Sequence, residues 1–224
     1  MSTNDDQQNI QHSLALDEQL KQLSHDVSAA SLLHQYLTQN FKNSQSRLNF
    51  LTAPSVLIKS PITREQGIAS GFLQPDEAEP FFVQGDIISS DAAYSLGQRV
   101  TGNSKFAIGN ASCDLAGRRP QDQAVLFAVK PVLISNPSAK QIINELVCVK
   151  SNSRMFLPPF QNDDPDTYCN YIDFAAPATI EFGNLLLATR HASLSKLGWH
   201  IFNSLLRRWF TREAEFEAVM RTTN

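Results

Sequence analysis

Two groups of residues have the types and the spacing for chemistry. Cys113 and Asp114 stand just past an apolar run, Phe106-Ala107-Ile108, and are followed by Gly117-Arg118-Arg119-Pro120. A neighbouring guanidinium stabilises a thiolate, which makes Cys113 a candidate nucleophile. Asp114 either orients Arg118 or Arg119 through a carboxylate–guanidinium pair or bonds its own backbone in a turn beside a small, buried cysteine. His191 and His200 are remote from Cys113 in sequence, so spacing assigns it no general base. The second group is basic. Lys196, His200, Asn203 and Arg207 follow one another at steps of four, three and four, with Arg190 ahead of them and Arg208 beside them. On a helix they form one stripe, and guanidinium forks match phosphate oxygens, so the stripe is a candidate nucleic-acid surface. The same pattern also describes a solvated face, because basic residues favour the C-terminal half of a helix. Tyr168, Tyr171 and Asp173, near Asp163, Asp164 and Asp166, offer oxygens to a cation. The glycine and closing glutamate of an EF-hand are missing, so a solvated acidic loop is expected and no metal site is assigned.

The elements that position these residues follow from periodicity. Leu16, Leu20, Leu23, Val27, Ala30, His34, Leu37 and Phe41 recur at alternating steps of four and three. That is a heptad seam on one amphipathic helix, which packs either on its own domain or against a partner protein or a second copy. Asp17 and Glu18 suit its first turns, and Lys42-Asn43-Ser44 ends it. From Ser44 to Pro80, Pro54, Pro61, Pro75 and Pro80 with Gly67 and Gly71 interrupt any long element. Val56-Leu57-Ile58 is a short strand in what reads as a linker. Beyond Phe81, short apolar runs alternate with turn residues: Phe82-Val83, Ile87-Ile88, Phe106 to Ile108, Val125 to Val129, Val147 with Val149, Met155 to Leu157 and Tyr171 to Phe174. These spacings predict a small, mostly antiparallel barrel or sandwich. One helix interrupts it, Ala139 to Leu146, with Ser138 as N-cap. A long helix from Ser193 to Met220 closes the chain, and Ile201, Phe202, Leu205, Leu206, Trp209 and Phe210 form its wide apolar face.

The fold class is therefore α+β, with a helix over 1–45, a linker over 46–80, a β domain over 81–190 and a C-terminal helix over 191–224 packed on it.

Composition narrows the functions. The 224 residues carry 19 Lys+Arg against 22 Asp+Glu, a net charge of −3, which is too balanced for a protein that coats DNA through its overall field. A hydrophobic share of 42% excludes a wholly disordered chain. The three cysteines are odd in number and lack a C-x-x-C spacing, which supports neither a disulfide framework nor zinc. Met1 to Ile10 lack the basic and apolar regions of a secretory signal, and no apolar run is long enough to span a membrane. A cytoplasmic protein is expected. Phosphate-loop, dinucleotide, zinc-hydrolase and nucleophile-elbow motifs are all missing, so no cofactor is expected.

Gly85-Asp86-Ile87, then Phe106 to Ile108 leading into Cys113-Asp114-Leu115, resemble a group of bacterial proteins that read GDI and then a hydrophobic strand with C-D-L. Met155 to Pro159, Tyr171 to Phe174, and Arg190 with Ala192 to Ser195 look like the same group's second half. Gly85 to Ile87 and Gly117 to Pro120 are also similar to PemK/MazF-type toxins. That likeness implies a small SH3-like barrel with a terminal helix, and metal-free cleavage of single-stranded RNA by an arginine and a polar residue. Roughly thirty residues part the two motifs here, a longer gap than in that family, and Arg118 and Arg119 are the positions it nominates. The first expectation is a non-catalytic interaction or regulatory subunit of a bacterial toxin or phage-defence system, gripping a protein partner, or itself, through the seam. The alternative is a PemK/MazF-like endoribonuclease that binds RNA on its basic surface.

Overall fold

The structure, a computed structural model, describes residues 3–23, 28–52, 55–69, 75, 82–102, 104–115 and 122–211. Three helices come first: α1 (Thr3–Gln22), α2 (Ala29–Asn40) and α3 (Ser44–Thr52). The short strand β1 (Leu57–Ile58) and α4 (Arg64–Ala69) lead into β2 (Ile87–Ser89), the hairpin β3 (Tyr94–Ser95) and β4 (Gln98–Arg99), then β5 (Lys105–Ile108) and α5 (Ser112–Leu115). The long strand β6 (Gln123–Leu133), α6 (Ala139–Val147), β7 (Arg154–Leu157) and the longer β8 (Thr167–Glu181) follow. α7 (Phe182–Leu185), β9 (Thr189–Leu194) and α8 (Lys196–Thr211) complete the order.

The strands form one antiparallel sheet in the order β1-β9-β2-β5-β6-β8-β3-β4, with β7 also on β8. Among the described residues β1 and β4 do not pair with each other, so the fold is α+β with a sheet that is not closed into the expected SH3-like barrel. β8 explains how one strand serves two neighbours. Its register against β6 jumps from Phe127–Pro177 to Ala128–Asp173, and the bend lets its first half take β7 and its second half take β3.

Alternation along the strands sends side chains to two cores. Ile87, Ala107, Phe127 and Val129 face a large core shared with the helices, while Ile88, Phe106, Ile108 and Leu126 face a smaller one with Phe82 and Leu185. In the large core Phe127, Phe174 and Phe202 meet edge-on at 5.3–6.4 Å between ring centroids. Ile201, Phe202 and Leu205 bury the face of α8 as the sequence predicts, and Leu206 and Trp209 pack at its margin. Phe210 does not join them; it is exposed.

Several boundaries differ from the expectation. The seam falls on two described helices, α1 ending at Gln22 and α2 beginning at Ala29; Val27 lies outside the described residues. Leu16, Leu20, Leu37 and Phe41 are buried in the chain's own core and Leu23 packs against it, so α8 and its neighbours fill the seam. The 46–80 segment is no linker over its described part: Phe50, Leu51, Val56 and Leu57 are buried, and β1 pairs with β9. Pro61 stands between β1 and α4, and Gly67 is buried within α4. The expected boundary at 190/191 falls inside β9. Val147 closes α6 and Val149 takes a left-handed φ of 52°, so this pair is not a strand, and Phe82-Val83 is not one either.

Candidate functional site

Asp86 of the Gly85-Asp86-Ile87 motif is completely buried. The turn before β2 places it: the Asp86 amide donates to Val83 O at 3.1 Å, and Gly85 sits at φ +81° with its amide on Ile108 O at 2.8 Å. Arg190 on β9 reaches in, its Nη2 2.8 Å from Asp86 Oδ2 and 3.1 Å from Ile62 O, its guanidinium over the Phe82 ring. Ser193 Oγ donates to Asp86 Oδ1 and accepts from Ile62 N at 3.0 Å, and Val83 N donates to Oδ2 at 3.0 Å. Burial pushes the Asp86 carboxyl above the ordinary carboxylate range, while Arg190 and the hydrogen bonds pull it back. The two halves of the motif pattern, distant in sequence, thus meet in one internal ion pair. Arg190 is not on the α8 stripe but inside the fold.

Two further residues of that stripe are engaged. Lys196 Nζ lies 2.6 Å from Asp17 Oδ2, and His200 Nε2 lies 3.4 Å from Asp17 Oδ1, tying α8 to α1. His200 is buried, which lowers its pKa; Asp17 raises it, and Lys196 and Lys21 lower it further. Arg207 and Arg208 are half-buried toward the end of α8. Asp114 is half-buried on the short α5, its amide on Ala111 O at 3.0 Å. Cys113 also lies on α5, but its side chain, like Arg118 and Arg119 entirely, falls outside the described residues.

Two concavities remain. The first sits at a bulge in β9. Ile87 pairs with Ala192 and Ile88 with Arg190, so His191 is the extra residue. Its Nε2 shares a 2.8 Å hydrogen bond with Ser89 Oγ at the end of β2. Lys105, opposite Ser89 on β5, is ion-paired with Asp163 and lies 4.9 Å from the Phe160 ring centroid. Asp163 Oδ2 also accepts from Asn170 Nδ2 at 2.6 Å and Phe160 N at 2.8 Å. His191 and Lys105 line a cavity of about 60 Å³, with Lys59, Gln161 and Asn162 among the walls. Burial first, then Lys105, lowers the His191 pKa, and Asp163 raises it. The acidic loop therefore holds a lysine: Asp163 is taken by Lys105, and Asp166 accepts from Ser135 Oγ. Among the described residues no three His, Cys, Asp or Glu are placed to share a metal ion, and no helix is long and apolar enough to cross a membrane.

The second concavity is larger, about 660 Å³ between α1 and α2. Gln8, Gln11 and Gln19 on α1 and Gln35 and Gln39 on α2 line it, spaced as single helix faces. At its floor the Tyr36 hydroxyl donates to His12 O at 3.1 Å and lies 3.1 Å from His12 Nδ1. Burial raises the Tyr36 pKa. Gln8, His12 and Asn40 also line an adjoining basin of about 440 Å³, which adds Lys42 and Asn49. No acidic residue lines either basin. The glutamines carried no motif in the sequence; only the splitting of the seam into two helices aligns them. The serine, histidine and lysine at the bulge were likewise silent, because strand pairing, not spacing, joins them.

Neither a family model nor a curated protein matches the chain.

Proposed function

We propose that the chain is a non-catalytic interaction subunit whose partner surface is the carboxamide groove between α1 and α2. One observation carries this: an open concavity of about 660 Å³ is walled by five glutamines and Asn40, while the apolar seam behind it is already filled. A carboxamide donates and accepts at once, so it pairs with main-chain amides and with other carboxamides, and it discriminates little by charge. The groove suits an extended, weakly charged polypeptide segment. The resemblance of the Gly85 and Cys113 motifs to bacterial proteins supports a place in a toxin or phage-defence system, with this chain as its regulatory or adaptor part.

A photo-crosslinking side chain at Gln35, compared with one at the exposed Lys140, tests the reading in native extract. A discrete protein adduct from Gln35 and none from Lys140 is expected; equal labelling from both, or none from either, contradicts it. The RNA-directed reading keeps one specific support, the half-exposed Arg207 and Arg208. RNA recovered from the same crosslinks, and lost with Arg207→Glu/Arg208→Glu, would favour it instead.

A further inference from the structure

In a regular antiparallel ladder, consecutive residues point to opposite faces of the sheet. The β9 bulge suspends that rule and lets neighbours take separate tasks: Arg190 enters the Asp86 ion pair, and His191 turns to Ser89 and the small cavity. We propose that this cavity is an oxyanion site that takes one phosphoryl group between Lys59, Lys105 and His191. The inference is independent of the groove.

Charge supports it. Lys59 is exposed at the end of β1, Lys105 comes from β5, and Asp163 offsets only one of the two ammonium groups. Asp163 is held by Asn170 and the Phe160 amide, so its carboxylate stays on Lys105 while that ammonium keeps further protons to donate. Shape supports it too. Donors come from separate parts of the fold: Lys59 after β1, Lys105 on β5, Gln161 and Asn162, and His191 on β9. A volume of about 60 Å³, lined by Leu57 and Ala192 among others, suits one small group better than a nucleoside. The groups facing His191 are Ser89, Lys105 and Asp163, with Lys59 across the cavity and Arg190 committed to Asp86. An anion placed there opposes the burial that keeps the imidazole neutral, so binding is coupled to proton uptake by His191.

The test is NMR of the His191 imidazole in the full chain during titration with inorganic phosphate, with acetate in parallel. Phosphate is expected to move the His191 signals with a Kd of about 1 mM and to raise the pH midpoint of that ring. Acetate is expected to bind about tenfold more weakly, and Lys59→Ala, at an exposed position, to weaken phosphate about tenfold without altering the melting temperature. Lys105→Met is expected to abolish binding; Lys59→Ala keeps the test decisive if that variant does not fold. Methyl phosphate separates a free ion from a phosphoryl group carried on a larger molecule, and binding of either upholds the site. Unmoved His191 signals in folded protein, equal binding of acetate, or phosphate binding unchanged by Lys59→Ala would overturn it.

Discussion

At the scale of single residues, the Asp86–Arg190 pair sets the sharpest expectation. Asp86→Asn leaves the part-buried Arg190 guanidinium without its counter-charge, which is expected to destabilise the fold by about 2–4 kcal/mol, read as a lowered urea midpoint. The double change Asp86→Leu/Arg190→Met is expected to recover most of that, because it removes both buried charges. A double variant as unstable as Asp86→Asn would show that the pair's geometry, not its charge balance, matters. Gly198 gives a second residue-level test. A Cβ there would sit 2.0 Å from Val56 O, a backbone atom that also accepts from Ser195 N at 3.0 Å. Gly198→Ala must therefore part the start of α8 from the chain entering β1, and a lower melting temperature is expected; an unchanged one would contradict that close approach. Neither feature was legible in the sequence. Arg190 looked like a surface cation because it precedes a helix, and its partner lies across a strand pairing that no local spacing encodes.

At the scale of elements, the junction of α1 with α8 is pH-sensitive. His200 faces Asp17 on α1, Lys196 on its own helix and Lys21 on α1, and burial leaves its folded pKa below the ordinary 6.5. A histidine whose pKa falls on folding binds its proton more tightly in the unfolded chain. Stability is therefore full above pH 6.5 and declines as pH falls through that value toward the folded pKa. His191 adds to the same trend. Thermal melts across pH 7.5 to 5.5 (about one unit either side of an unperturbed histidine) are expected to show a falling midpoint, with a shallower fall in His200→Gln. A fall as steep in His200→Gln as in the wild type would show that this ring does not govern the trend. Element existence was more legible than element limits. The apolar face of α8 followed from 3.6-residue spacing, the helix expected over Ala139 to Leu146 from Ser138 as N-cap, and the strands around Phe106, Phe127 and Met155 from short apolar runs. The break between α1 and α2 was hidden, because the four-three rhythm of leucines runs straight through it.

At the scale of the molecule, the described helices and the sheet pack on common cores. Leu16, Leu20, Leu37 and Phe50 share one core with β6, β8 and α8, so the segment before the sheet is part of the fold. Removing residues 1–45 would expose the apolar face of α8 and is expected to abolish cooperative unfolding and increase binding of a hydrophobic dye. A truncated chain that melts cooperatively would restore the separable arm that the seam suggested. That packing is why the proposed partner surface is the groove and not the seam. An apolar seam reads from sequence as a contact in search of a helix, and folding supplies that helix internally. What folding leaves open are glutamines, residues whose polarity made them look like ordinary solvent-facing positions.

The most direct measurement is partner capture from nuclease-treated native extract by three forms of the full chain: wild type, Gln11→Glu/Gln35→Glu and Arg207→Glu/Arg208→Glu. Both glutamines are exposed, so their variant should melt as wild type does. The account predicts one stoichiometric protein retained by wild type and by the arginine variant, and reduced about tenfold by carboxylates in the groove. Capture indifferent to the groove, or lost only with the arginines, would contradict it.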